Sequence, residues 1–152
     1  MKGFFKSFKY AGSGVIKAIK SERNMRIHIC MAFYVIIAAI IARLGAAQWL
    51  AVLICCALVI GAEAINTAIE RLCDAVYPER DKRIGAVKDI AAGGVLVCAV
   101  FSAAVGCIVF FSGESLANIA EFVKARAVLT AAIACTTVPA IIFICGRKRD
   151  GK

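Results

Sequence analysis

The stretch "QWLAVLICCALVIGA" at residues 48–62 decides the fold of this chain, and "EAINTAIERLCD" at residues 63–74 follows it without a break. The first stretch has no charged residue, whereas the second contains three acidic residues and an asparagine. A helix from Gln48 to Glu70 would be roughly 33 Å long, enough to cross the ~30 Å hydrocarbon core of a bilayer. The sequence therefore predicts a membrane-spanning helix whose last part carries a group of acidic side chains.

The composition of the whole chain also indicates a membrane protein. Of the 152 residues, 62% are hydrophobic, and the mean hydropathy is +0.84, whereas soluble domains are about half apolar. The net charge is +9, but the cations fall in short segments between apolar runs, unlike the basic surface of a nucleic-acid-binding protein. Nucleic acid is therefore excluded as a partner, and the length predicts one compact domain.

The eight cysteines do not indicate disulfides or a metal centre. Nearly all of them lie inside apolar runs, and the chain has no C-x-x-C pair, although zinc and redox sites have characteristic cysteine spacings. We interpret the cysteines as small buried hydrophobic residues.

Residues 2–21 have the period of an amphipathic helix. At about 100° per residue, Phe4, Phe8 and Val15 fall on one side and the lysines on the other. Such a helix suits the surface of an anionic membrane, and the segment lacks the apolar core of a cleavable signal peptide. If the helix continues, Glu22 falls on its apolar side, where a carboxylate needs a partner.

Four apolar runs follow, at about 27–45, 48–70, 87–112 and 126–146, each near the ~20 residues that cross a bilayer. Lysine and arginine number seven before the first run, then one, five and two in the three links, and four in the tail. This alternation predicts four spans with both chain ends in the cytoplasm. The last run contains Pro139, so a kinked or partly embedded helix is the alternative there.

The polar residues that end the second span share one side of its helix, within about 60° of Glu63. They are Glu63, Asn66, Glu70 and Asp74. Lys88 and Asp89 begin the next span at the same level. Carboxylates at membrane depth are costly and mark functional sites. Glu70 and Asp74 also fit ordinary interfacial residues, paired with Arg71 and Lys88. Glu63 and Asn66 lie too deep for that interpretation.

Several carboxylates and an amide oxygen in one place suit a hard divalent cation such as Mg²⁺, which usually also binds phosphate oxygens. A buried carboxylate free of metal can accept a proton from an alcohol. The small residues 91–94 favour close helix packing, and no P-loop motif occurs in the chain. His28, the only histidine, is interpreted as an interfacial polar residue.

The two acidic motifs, "EAINTAIERLCD" and "KDIAAGGVL" (residues 88–96), resemble the signature of the prokaryotic integral-membrane diacylglycerol kinase family. That signature is E-x-x-N-[ST]-A-I-E-x-x-x-D followed by K-D-x-[AG]-[AS]-A-x-V, and one glycine of Gly93–Gly94 stands where the family often has alanine. The stretch "FKYAGSGVIKAIKSERNMRIH" (residues 8–28) is similar to the opening of the undecaprenol kinase branch. The resemblance covers residues 4 to about 113.

The resemblance implies a small homotrimeric kinase, with a surface helix and three spans per subunit, that transfers the γ-phosphate of ATP to a lipid hydroxyl. It implies Glu63 as the general base. It implies Glu22 and Glu70 as ligands of Mg²⁺ and, through the ion, of the ATP phosphates. The other implied nucleotide contacts are Tyr10, Lys88 and Asp89, and the residues that complete the polar site are Asn66 and Asp74.

The predicted architecture is thus an all-α membrane protein in the bacterial plasma membrane, with its active site on the cytoplasmic side. Residues 1–113 form the kinase-like domain, with an amphipathic surface helix at 1–26 and three family spans. Residues 114–152 form an extension with an additional span at 126–146, which the three-span plan of the family does not explain.

The sequence leaves alternatives open for the function. The N-terminal stretch favours undecaprenol as the lipid alcohol, with diacylglycerol as the alternative. A small four-span proton-coupled transporter would also need a glutamate in the membrane, although nearer to its middle. A purely structural membrane subunit is the third interpretation.

Overall fold

The computed structural model describes residues 2–79 and 81–146, and all regular structure in that part of the chain is helical. The helices are α1 (Lys2–Ser21), α2 (Arg23–Ile41), α3 (Ala46–Val76), α4 (Lys82–Phe110), α5 (Gly113–Ala125), α6 (Ala127–Cys135) and α7 (Thr137–Cys145). Arg80 and the tail from residue 147 onward, which contribute cations to the predicted charge pattern, lie outside the described residues, as does the side chain of Lys2.

Four segments are long and apolar enough to cross a membrane, which confirms the predicted number of spans. They are Arg23–Ile41, Ala46–Val76, Lys82–Phe110 and Ala127–Cys145. The helices do not end where the apolar runs end: α2 and α4 begin earlier than 27 and 87 and end before 45 and 112, and α3 continues past residue 70. The apolar run marks the part of a helix in hydrocarbon, whereas backbone hydrogen bonding continues into polar sequence.

The predicted helix over residues 1–26 was wrong at its end, because α1 stops at Ser21. Glu22 has an extended backbone (φ −103°, ψ 123°) and precedes the first residue of α2. Glu22 therefore lies at a corner between two helices. Most of α1 is exposed, including Phe4 and Phe8, and Ala18 is buried.

The link between α2 and α3 is a tight turn at the end of the bundle opposite to Glu22. The N–H of Leu44 donates to the carbonyl of Ala39 (3.2 Å), and the N–H of Arg43 donates to that of Ile40 (3.2 Å). This is the Schellman arrangement, in which the residue after the helix adopts a left-handed conformation. Arg43 does so, with φ 54°, although glycine is the usual residue there.

The turn belongs to the main apolar core, which joins α2, α3 and α4. Its buried residues are Ala39, Ala42, Leu44, Val52 and Val109. Helix α5, which the sequence did not predict, packs against this end of the bundle. The side-chain amide of Asn118 donates to the carbonyl of Ala42 at 2.9 Å, so α5 supplies a donor that the end of α2 lacks.

The fourth span consists of α6 and α7, which meet at Thr136. Pro139 has no N–H to donate to the carbonyl of Cys135, and such a loss kinks a helix. The Thr136 hydroxyl lies 3.1 Å from the hydroxyl of Tyr34 in α2, and the end of α7 contacts the beginning of α2. The fourth span therefore runs antiparallel to α2 along its side.

Candidate active site

The polar side chains of the predicted site meet at one end of the bundle, opposite the α2–α3 turn. The α1–α2 corner, the last turns of α3 and the first turns of α4 come together there. Arg71 of α3 lies 3.8 Å from the Glu22 carboxylate, and Lys88 of α4 lies 2.5 Å from the Asp74 carboxylate. These contacts connect three separate segments of the chain.

The deepest part of the site is a row of buried polar residues on α3. Glu63 is 2% exposed, and Asn66 and Thr67 are each 5% exposed. The Asn66 amide donates to the Glu70 carboxylate at 3.0 Å, but Asn66 Oδ1 and Thr67 Oγ1 have no hydrogen-bond partner. Buried polar atoms without partners are rare, and water, an ion or a ligand commonly satisfies them.

Two further carboxylates, those of Glu22 and Glu70, lie at this end of the bundle. Glu22 and Glu70 both lie close enough to Glu63 for their negative charges to act on it. Among the described residues, Glu63 has no ion pair or hydrogen bond of its own, and Arg71 is the cation paired with this group. The group therefore carries an excess of negative charge, which favours a bound cation.

Arg71 links α3 to the α1–α2 corner. Its guanidinium contacts the Glu22 carboxylate and donates to the Ser21 hydroxyl. The sequence suggested Glu70 or Asp74 as the partner of Arg71, and that pairing was wrong. The extended backbone at Glu22 brings Ser21 and Glu22 to the side of α3, where the guanidinium lies.

Lys88 and Asp74 form the second part of the site, and their contact agrees with the alternative interpretation of Asp74 as an interfacial residue paired with Lys88. The contact joins α3 to α4 across the cytoplasmic loop expected from the charge pattern. The Lys88 ammonium also lies within electrostatic range of Glu70. Because Asp74 is 69% exposed in its side chain, the pair adds little to stability by itself. The pair holds the Lys88 ammonium near the end of α3 that carries Glu70.

Two predicted nucleotide contacts, Asp89 and Tyr10, form no hydrogen bond or ion pair with the other site residues in the described part of the chain. Asp89 is exposed and has no ion pair or hydrogen bond among residues 2–79 and 81–146. Tyr10 is 64% exposed, with the Lys6 ammonium 6.0 Å from the centre of its ring. His28 is half-buried and lines an apolar groove of about 420 Å³ between α2, α3 and α4.

The residues present fit a Mg²⁺ ion that is shared with a phosphate. The described acidic, histidine and cysteine side chains do not form a group of three that could enclose a metal by themselves. Mg²⁺, however, usually takes one or two carboxylates and completes its shell with water and substrate phosphates. Glu70, which accepts from the Asn66 amide, and Glu22, which reaches the same end of α3 through Arg71, would be such a partial set.

The fold and this site define a multi-pass helical membrane protein with a carboxylate-rich site at one end of its bundle. The model of the prokaryotic diacylglycerol kinase family matches residues 9–110. The chain is 35% identical over 107 residues to undecaprenol kinase from Bacillus subtilis (strain 168), which covers 70% of this chain and 87% of that protein. It is 36% identical over 101 residues to a diacylglycerol kinase from Synechocystis, which covers 66% and 58%. No solved structure matches it.

The chain therefore belongs to the prokaryotic diacylglycerol kinase family, and it is a lipid kinase. This confirms the resemblance and decides for an enzyme over the transporter and the structural subunit. The matched residues include Tyr10, Asp89 and every member of the carboxylate group, whereas α5, α6 and α7 lie beyond them.

No role was predicted for Arg26, which with Glu63 is a buried charged residue in the described part of the chain. It is 7% exposed, and its guanidinium donates to carbonyl groups of α1 and α7. An arginine so near the end of an apolar run reads as an interfacial cation. Its partner in α7 is 118 residues away, and no local pattern in the sequence indicates that contact.

Proposed function

We propose that this lipid kinase transfers the γ-phosphate of ATP to the hydroxyl of undecaprenol, giving undecaprenyl phosphate. The observation that carries the proposal is the position of Glu63. Its carboxylate is buried, lacks a cation of its own and is within electrostatic range of the Glu22 and Glu70 carboxylates. A carboxylate so placed is suited to accept the proton of an alcohol that arrives from the membrane.

Glu22 and Glu70 would hold Mg²⁺ and, through it, the phosphates of ATP. When bound, the ion would neutralise charge on the phosphate oxygens, which is the main requirement of phosphoryl transfer. Asn66 orients the Glu70 carboxylate through its side-chain amide, and Glu63 accepts the proton as the lipid oxygen attacks. Asp74 holds the Lys88 ammonium beside Glu70, where it would face a nucleotide phosphate.

A homotrimer is part of the proposal. Tyr10 and Asp89 are exposed in the single chain, and both are expected to contact the nucleotide. A neighbouring copy of the chain packed against this end would bring a second surface to the site and shield it from water, as phosphoryl transfer to an alcohol requires.

The proposed orientation places the site at the cytoplasmic face of the plasma membrane. The segments at this end are rich in lysine and arginine, whereas the α2–α3 link at the other end contains only Arg43. Helix α1 would lie on the inner membrane surface with Phe4 and Phe8 in the headgroup region. ATP would then approach from water while the lipid stays in its leaflet.

The choice of lipid depends on the relatives. The match covers 87% of the Bacillus subtilis undecaprenol kinase and 58% of the Synechocystis diacylglycerol kinase. The identities are almost equal, so the fuller match favours undecaprenol. Diacylglycerol, which would give phosphatidic acid, is the second candidate.

The test is a side-by-side assay of both alcohols. Purified protein in mixed micelles with Mg²⁺ and radiolabelled ATP is given undecaprenol or diacylglycerol at equal mole fractions, and labelled lipid is quantified. We expect faster labelling of undecaprenol. The Glu63→Gln variant serves as the inactive blank. The matched control is Glu114→Gln, which makes the same substitution at an exposed position at the other end of the bundle. Faster labelling of diacylglycerol would overturn the choice of lipid, and labelling of neither would overturn the proposal.

A further inference from the structure

Arg26 connects three helices through one buried guanidinium. Its Nη1 donates to the carbonyls of Ile19 (3.1 Å) and Lys20 (3.2 Å) in α1. Its Nε and Nη2 donate to the carbonyl of Ile144 in α7, at 3.4 and 3.3 Å. No carboxylate pairs with it among the described residues.

These three carbonyls belong to the last turns of two helices. The last four carbonyls of a helix have no intrahelical donor and carry the negative end of the helix dipole. A planar guanidinium with five donors can satisfy several of them at once. Arg26 thus caps α1 and α7 together, which explains how a charge at 7% exposure is accommodated without an acid.

The capped end of α1 is also the corner that carries Glu22. The N–H of Glu22 donates to the carbonyl of Ala18 (2.9 Å), and the carbonyl of Glu22 accepts from the N–H of Arg26 (3.4 Å). The backbone of Glu22 is therefore hydrogen-bonded on both sides, to α1 through Ala18 and to α2 through Arg26. Its carboxylate then meets Arg71 of α3.

We propose that the fourth span takes part in catalysis by positioning Glu22. Arg26 is the positioning residue, because its hydrogen bonds connect α7 to the end of α1. The end of α7, which lies beyond the residues matched by the family model, fixes the α1–α2 corner and with it the Glu22 carboxylate, which contacts Arg71 of α3. The hydrogen bond between Tyr34 and Thr136 keeps the fourth span beside α2. The inference rests on the proposed role of Glu22 as a Mg²⁺ ligand.

The test measures the Mg²⁺ concentration for half-maximal velocity and the KM for the lipid alcohol in the full-length protein. For Arg26→Gln we expect the Mg²⁺ requirement to rise about tenfold, as for residues that orient metal ligands, with the lipid KM unchanged. Arg26→Lys keeps the charge but loses the planar guanidinium with its several donors. Its Mg²⁺ requirement should lie between those of Arg26→Gln and the wild type. Arg23→Gln removes an exposed cation from the same turn of α2 and should behave as the wild type.

Two further variants separate the possible failures. Glu22→Gln reports on the proposed metal ligand itself, and Tyr34→Phe loosens the fourth span without touching the corner, with an expected rise of about twofold. If Glu22→Gln raises the Mg²⁺ requirement and Arg26→Gln does not, the positioning role is wrong and the proposed function stands. If neither variant changes it, the role of Glu22 is wrong as well. Should Arg26→Gln not fold, Arg26→Lys and Tyr34→Phe decide: wild-type Mg²⁺ requirements in both would overturn the inference.

Discussion

The two ends of the bundle differ in whether their buried polar groups have hydrogen-bond partners. At the end with the α2–α3 turn, the carbonyl of Ala42 accepts a hydrogen bond from the side-chain amide of Asn118. The hydroxyl of Ser115, which is 3% exposed, accepts one from the hydroxyl of Ser112 at 2.9 Å. At the opposite end, Asn66 Oδ1 and Thr67 Oγ1 are buried without partners, and Glu63 lies beside like charges.

This difference separates structure from function. Hydrogen-bonded polar groups around an apolar core stabilise the fold. The end with the α2–α3 turn has such polar groups and the main apolar core. The other end keeps buried oxygen atoms and negative charge that the described part of the chain does not neutralise, an arrangement that lowers stability. Such groups are retained at sites that bind a ligand. Substitutions at the two ends should therefore affect different properties.

The largest effect is expected for Glu63→Gln. The lipid phosphorylation rate should fall by at least about 100-fold, the usual contribution of a general base. The unfolding temperature in detergent should stay the same or rise, because the neutral amide removes repulsion from Glu22 and Glu70. Rates and thermal unfolding of the same preparation check both parts. An active variant, or an inactive one that is also unfolded, would contradict the comparison.

A smaller effect on activity is expected for Glu70→Gln. Loss of one proposed ligand should raise the Mg²⁺ concentration for half-maximal rate by about tenfold or more. The matched control is Glu79→Gln, which removes the same charge from the exposed loop after α3. Titration of Mg²⁺ at fixed ATP and lipid provides the measurement. An equal shift in both variants would mean that general surface charge, and not a metal ligand, is responsible.

At the turn end, Asn118→Leu should change stability alone. The substitution leaves the Ala42 carbonyl without its donor, and the loss should lower the free energy of unfolding by about 1 kcal/mol. The specific activity of the folded enzyme should not change. Denaturant titration in mixed micelles measures the first quantity. Loss of activity without loss of stability would show that the two ends are not separate in function.

The smallest effect is expected for Arg43→Gly. Glycine adopts the left-handed conformation of this turn without the steric cost that a side chain adds, so stability should rise by about 0.5 kcal/mol. Arg43→Val should lower it, because a β-branched residue is strained at positive φ. The same titration compares the three proteins, and a glycine variant less stable than the wild type would contradict the turn geometry.

Much of this molecule could be predicted from local sequence. Hydrophobic runs predicted four spans, and the helical period placed Glu63 and Asn66 on one side of α3, where both are buried. The order of the spans predicted that Lys88 lies at the level of the acidic residues, where it contacts Asp74. Local sequence did not predict that α1 ends at Ser21, or that α5 is a helix. Both depend on contacts made elsewhere: Arg26 caps the end of α1, and Asn118 anchors α5 on α2.

The sequence alone determined that the protein spans a membrane, which family it belongs to, and which residues carry the chemistry proposed for the site. These properties are local, because hydropathy, helical period and motif spacing are each fixed within a short stretch of chain. The tertiary structure alone decided that Arg71 pairs with Glu22, that the fourth span lies along α2, and that Arg26 joins that span to the corner at Glu22. These contacts join residues that are far apart in the chain, and packing decides which of many possible polar partners come within hydrogen-bonding distance.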